Sequence, residues 1–77
     1  PRDPADEIGD RDAVDELLAA MSRLSPRYQQ ALELRYLAGL TPDEAAAAMG
    51  TSKATMAVVV HRATRALRRA MDERNGS

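Results

Sequence analysis

Cysteine, tryptophan and phenylalanine are absent, histidine occurs once (His61), and lysine occurs once (Lys53). Without cysteine there is no disulfide framework, no thiolate metal site and no thiol nucleophile, which fits a reducing compartment such as the cytoplasm. The parts of an enzyme are also missing: one His, no glycine-rich phosphate loop and no metal-ligand spacing leave no acid–base or nucleophilic constellation. The expectation is therefore no catalytic residue, no metal, no cofactor and no small-molecule substrate; His61 reads as a polar residue on an exposed helix face. No apolar run approaches the roughly 20 residues a membrane span needs, and Pro1-Arg2-Asp3-Pro4 is not a secretory signal, so no membrane association is expected. A start at Pro1 in place of an initiator Met reads as an excised piece of a longer protein.

What is present is charge, sharply segregated. A net charge of -1 over 77 residues conceals seven acids against three arginines in residues 1–24, while residues 53–77 hold Lys53, Arg62, Arg65, Arg68, Arg69 and Arg74 against Asp72 and Glu73. A basic stripe on one helix is the electrostatic footprint of phosphate binding, although the mixed charged face of any solvated helix is the plainer alternative. A chain this short makes one domain at most, with a small core that depends on good helix packing or on a partner.

Punctuation divides the chain into four predicted helices. Residues 1–11, with two prolines, a glycine and dense acidic charge, read as an acidic linker or arm. From Asp12 to Leu24 the apolar positions Val14, Leu17, Leu18, Met21 and Leu24 fall at helical spacing behind the acids Asp12, Asp15 and Glu16. Ser25-Pro26 is an N-cap followed by proline at the first helical position, and Tyr28, Ala31, Leu32, Leu34 and Leu37 carry an apolar face to about Ala38, where Gly39 stops it. Thr41-Pro42-Asp43-Glu44 spells a capping box for a short third helix that ends before Gly50; Glu44 is also placed to pair with Arg35. Ser52 or Thr51 caps a long fourth helix, about Lys53 to Glu73, whose inward stripe is Met56, Val60, Ala63, Leu67 and Met71. The domain thus spans 12–74, with 75–77 as a tail.

The third and fourth helices have the spacing of a helix-turn-helix. Ala46 permits close approach of the two helices, Gly50 four residues later supplies the turn, and Met56 six residues further packs the second helix inward. Thr41, Glu44, Ala46, Gly50, Ser52 and Met56 form this scaffold. An ordinary helical hairpin would also have a glycine turn and an alanine-rich helix; the two caps, the short third helix and the basic fourth helix together favour the DNA-binding unit. In such a unit the second helix enters the major groove, so residues after Ser52 are candidate base readers.

From Leu17 to Met71 the chain resembles region 4 of bacterial sigma-70 family factors, especially the small extracytoplasmic-function (ECF) type. The resemblance is carried by Leu24-Ser25-Pro26-Arg27-Tyr28, by the stretch from Leu32 to Thr41, by Glu44-Ala45-Ala46 with Met49-Gly50, and by Thr55-Met56 with His61-Arg62-Ala63 and Leu67. It implies an all-α, four-helix domain of winged-helix-like, sigma region 4 type with a long C-terminal recognition helix. It further implies a domain that reads the minus-35 promoter element, meets the RNA polymerase core, and is regulated by an anti-sigma factor. Positions matching the family's DNA-facing side chains are Lys53, Thr55, Ala57, Val58, Val59, His61, Arg62 and Arg65. LuxR-type transcription output domains share the Gly-Leu-Thr start but usually lack the Leu-Arg-Tyr stretch and the His-Arg-Ala before a basic tail. They are one alternative, and a sigma-like module used mainly for protein interaction is the other.

Two departures from the family pattern stand out. Where its members commonly hold a basic, a small polar and an arginine residue, this chain has Ala57, Val58 and Val59. Apolar groups can touch a thymine methyl but cannot make the bidentate bonds of Arg to guanine, each worth about 1 to 3 kcal/mol of discrimination. Either Lys53, Arg62 and Arg65 supply most of the DNA affinity, or the apolar patch docks a protein. Ala45, Ala48 and Thr51 also stand where larger aliphatic residues are usual, which predicts a lightly packed third helix at about 0.8 kcal/mol per missing buried methylene.

Overall fold

Three of the four prolines, Pro4, Pro26 and Pro42, occupy the first position of a helix, where the missing N–H costs nothing and the fixed φ suits the first turn. The computed structural model describes the backbone of residues 4–74 and the side chains of residues 12–73. Its elements are α1 (Pro4–Met21), α2 (Pro26–Leu32), a π-helical turn (Glu33–Leu37) that continues α2, α3 (Pro42–Met49) and α4 (Lys53–Arg74).

Helix α1 begins at Pro4, not at Asp12, so the stretch expected to be a linker is helical from residue 4 onward. Proline at the first position is favourable helix-start chemistry. Helix α1 also stops short of Leu24. The amides of Arg23 and Leu24 donate to the carbonyls of Ala20 and Met21 at 3.1 and 3.0 Å, a tightened last turn that satisfies carbonyls the helix would otherwise leave open. Ser25 then caps α2 by accepting the Tyr28 amide at 3.3 Å.

The expected continuous helix to Ala38 changes register after Leu32. The Ala38 amide donates to Glu33 at 2.8 Å, five residues back, and Leu40, folded over by Gly39 at φ +71°, donates to Leu34 at 3.0 Å. One extra residue per ring turns the end of the helix about its axis, and Tyr36 and Leu37 point outward, Leu37 with 66% exposure. The Arg35 guanidinium donates to the Leu40 carbonyl and lies 5.8 Å from the Tyr36 ring centre. That contact, and not one with Glu44, locks the π turn to the entrance of α3.

Two small clusters make the core. Ala31, Ala45, Ala46, Met56 and Val59 close the α2–α3–α4 corner, with Leu34, Leu40, Met49 and Val60 around them. Met21, Leu32 and Ala63, with Leu17, Leu24 and Leu67, join α1 to the other half of α4. Tyr28 packs against both. Helix α4 is therefore the spine that carries the molecule, and Met56, 1% exposed, is its largest fully buried side chain. Of the residues expected to thin the packing of α3, Ala45 is fully buried, Thr51 half-buried and Ala48 exposed. Arg23 meets Glu73 at 2.7 Å across the far end of the α1–α4 pair.

Candidate nucleic-acid interface

The turn between α3 and α4 is built by local hydrogen bonds. Thr41 accepts the Glu44 amide at 3.1 Å while the Glu44 carboxylate accepts the Thr41 amide at 2.9 Å, a complete capping box. The Thr41 amide, and after it the Thr41 side chain, hold the Glu44 carboxyl below its ordinary pKa. At the other end of α3, Gly50 adopts φ +66°. Its amide donates to Ala47 at 3.1 Å, and that of Thr51 to Ala46 at 2.9 Å, the two bonds of a Schellman stop. Ser52, not Thr51, caps α4: its hydroxyl oxygen accepts the Thr55 amide at 3.0 Å and its O–H donates to Thr55 Oγ1 at 2.9 Å. Ala46 is buried with Ala45 against Met56 and Val59, so the small side chains of α3 let α4 pack closely on it.

The cap aims α4, and the helical period sorts its residues. Met56, Val59, Ala63 and Ala70 are buried, whereas Ala57, Val58, His61, Arg62 and Arg65 are exposed along the opposite face. Lys53 is exposed at the start of the helix, 3.9 Å from Asp43 on α3. Thr55 is exposed but engaged with the Ser52 cap.

Of the eight candidate DNA-facing residues, seven lie on the accessible surface and one does not. Val59 is 7% exposed and sits in the α2–α3–α4 cluster, so its side chain is part of the core and out of reach of a base. Val58, with 46% exposure, stays on the surface beside Ala57.

Two clefts flank the exposed face of α4. One, of about 410 Å³, runs between α4 and the π turn and includes Arg35, Tyr36, Ala57 and His61. The other, of about 370 Å³, runs toward the start of α2 and gathers Tyr28 and Arg69 with His61, Arg62 and Arg65. Sequence reasoning leaves Tyr28 and Arg69 out of the site. Arg69 carries a signal that could find it, since it stands four residues after Arg65 and seven after Arg62 on one helix face. Tyr28 carries none, because only the packing of α2 on α4 brings it there.

Two capped helices joined through a left-handed glycine, the second long and exposing cations on its free face, have the architecture of a helix-turn-helix unit. Comparison with known proteins agrees with that class. The family described as Sigma-70, region 4, matches residues 14–71. The ECF RNA polymerase sigma factor BldN of Streptomyces coelicolor is 33% identical over 72 residues, which is 94% of this chain and 27% of that protein. The 1.8 Å structure of an RsbN–BldN complex contains a similar chain, with a TM-score of 0.72 and 34% identity over 84% of this chain and 47% of that one. The chain belongs to the sigma-70 region 4 family, in its ECF branch. It spans about a quarter of the length of its Streptomyces relative. Among the described residues, no helix is long and apolar enough to cross a membrane.

Proposed function

We propose that this chain is the promoter-reading end of an ECF sigma factor, with α4 entering the major groove of the minus-35 element in the bacterial cytoplasm. The module binds and positions; the chemistry of initiation belongs to the RNA polymerase core with which it assembles. The observation that carries this reading is the exposed face of α4, where Lys53, Thr55, Ala57, Val58, His61, Arg62 and Arg65 stand free of the core.

Lys53, Arg62 and Arg65 supply affinity through phosphates, and direct readout by Ala57 and Val58 is limited to apolar contact with thymine methyls. Selection of bound duplexes from a random pool tests this: the expected product is a short, thymine-containing consensus, and an unenriched pool overturns sequence reading. Replacing Arg62 or Arg65 with Ala lowers the slope of log affinity against log salt by about one each. An unchanged slope removes that residue from the interface.

Regulation by an anti-sigma protein is part of the same proposal. It is supported by the similar solved chain having been captured in complex with a second protein, RsbN. A reading in which the module serves mainly protein interaction is favoured by one feature, the exposed Ala57–Val58 pair on a face where base readers are expected.

A further inference from the structure

The cleft between α2 and the C-terminal half of α4 adds two polar groups that the promoter-reading proposal does not use, Tyr28 and Arg69. It joins a phenol from one helix to three guanidiniums from another: Tyr28 on α2, and Arg62, Arg65 and Arg69 on α4, over the small floor of Ala66. Tyr28 is anchored, since it is half-buried, packs against both core clusters and also lines the cleft. The three arginines are exposed and fall at intervals of three and four residues, so they lie along one face of the helix. That row rises about 10 Å along the helix, on the order of three phosphates of one DNA strand along the duplex axis. The nearby carboxylate of Glu73 is engaged with Arg23 at 2.7 Å.

We propose that this cleft is a seat for the sugar–phosphate backbone of duplex DNA. Arg62, Arg65 and Arg69 meet successive phosphates of one strand, and the Tyr28 hydroxyl donates to a phosphate oxygen at the cleft wall. The inference rests on the reading of α4 as a DNA-facing helix and deepens it. Phosphate contacts fix register without carrying sequence, and a rigid phenol beside an arginine row sets the angle at which α4 leaves the groove. A recognition surface short of polar base readers thus gains affinity from a backbone contact that extends beyond the residues the family pattern marks.

The test is fluorescence anisotropy of a labelled 24-base-pair duplex of arbitrary sequence, titrated with this chain and its variants over a series of KCl concentrations. Arg69→Ala is expected to lower the salt slope by about one. Tyr28→Phe keeps the packed ring and removes only the hydroxyl; it is expected to weaken binding by about fivefold, the loss of one hydrogen bond, with the slope unchanged. Arg68→Ala, exposed but outside the cleft, is expected to leave the slope as it was. Circular dichroism checks that each variant keeps its helix content. If Arg69→Ala and Tyr28→Phe bind like the parent while Lys53→Ala weakens binding, the cleft is not a backbone seat and the DNA-facing reading of α4 stands. If Arg68→Ala acts as strongly as Arg69→Ala and Tyr28→Phe is silent, the arginines act as diffuse charge and the seat is overturned. If the parent binds no duplex, the DNA-facing reading falls and the cleft proposal with it.

Discussion

Gly50 acts through backbone conformation alone. At φ +66° a Cβ would meet nothing within 4 Å, so the penalty for a side chain is the left-handed conformation itself. Gly50→Ala should cost about 1 to 2 kcal/mol, and Gly50→Asn less, as read from urea midpoints; equal midpoints for parent and Ala variant would mean that the turn relaxes. Met56 works by volume, and Met56→Ala should cost about 2 to 5 kcal/mol. Val58 is different because it is exposed: Val58→Asp should leave stability within about 0.5 kcal/mol while weakening duplex binding, since a carboxylate then faces phosphates. If duplex binding and partner binding both survive Val58→Asp, the apolar patch has neither role. Ala46, Gly50 and Met56 are legible in the sequence because their small, glycine and apolar order has a steric reason. Val59 is not, because it stands at an angle on α4 between two faces, and only the position of α2 and α3 decides which face it joins.

At the scale of the element, starts are more legible than stops. Ser25-Pro26, Thr41-Pro42 and Ser52 begin helices where their chemistry says they should, because a cap is a local hydrogen bond between neighbouring residues. Gly39 marks the stop after α2 in the sequence, but the tightened last turn of α1 and the π-helical register after Leu32 leave no compositional mark. The start of α1 is the exception among starts, because proline, glycine and acids serve both linkers and helix beginnings. The capping box at α3 also yields a pH prediction. Hydrogen bonding to Thr41 holds the folded Glu44 carboxyl below its unfolded value. Its contribution is therefore present above the unfolded pKa and is lost as pH falls through the lower, folded one. The melting temperature should decline on acidification through and below the ordinary glutamate range, and Glu44→Gln should flatten that decline. Parallel acid profiles for the two proteins would show that the cap carries none of it.

The whole molecule is a spine with light cladding. Among the described residues the buried core is mostly alanine, with Ala20, Ala31, Ala45, Ala46, Ala63 and Ala70 beside Met21, Leu32, Met56 and Val59. Each alanine in place of a larger aliphatic residue gives up about 0.8 kcal/mol per buried methylene. The apolar groups that would ordinarily thicken such a core include several that stay outside it: Val14 and Leu18 on α1, Tyr36 and Leu37 on the π turn. A domain of this size with so little buried volume has a small stability margin, and anything that binds only the folded form adds to it directly by linkage. At a partner concentration of 100 times Kd the gain is about 2.7 kcal/mol. For a domain of about 60 to 100 residues that converts to a rise of roughly 10 °C or more in melting temperature. The anti-sigma protein proposed as its regulator should therefore raise the melting temperature by that amount in a scan of the complex against the free chain, with the rise growing as the logarithm of partner concentration. A melting curve that stays in place at saturating partner would mean that the partner does not grip this module, and the proposed regulation through it would fall.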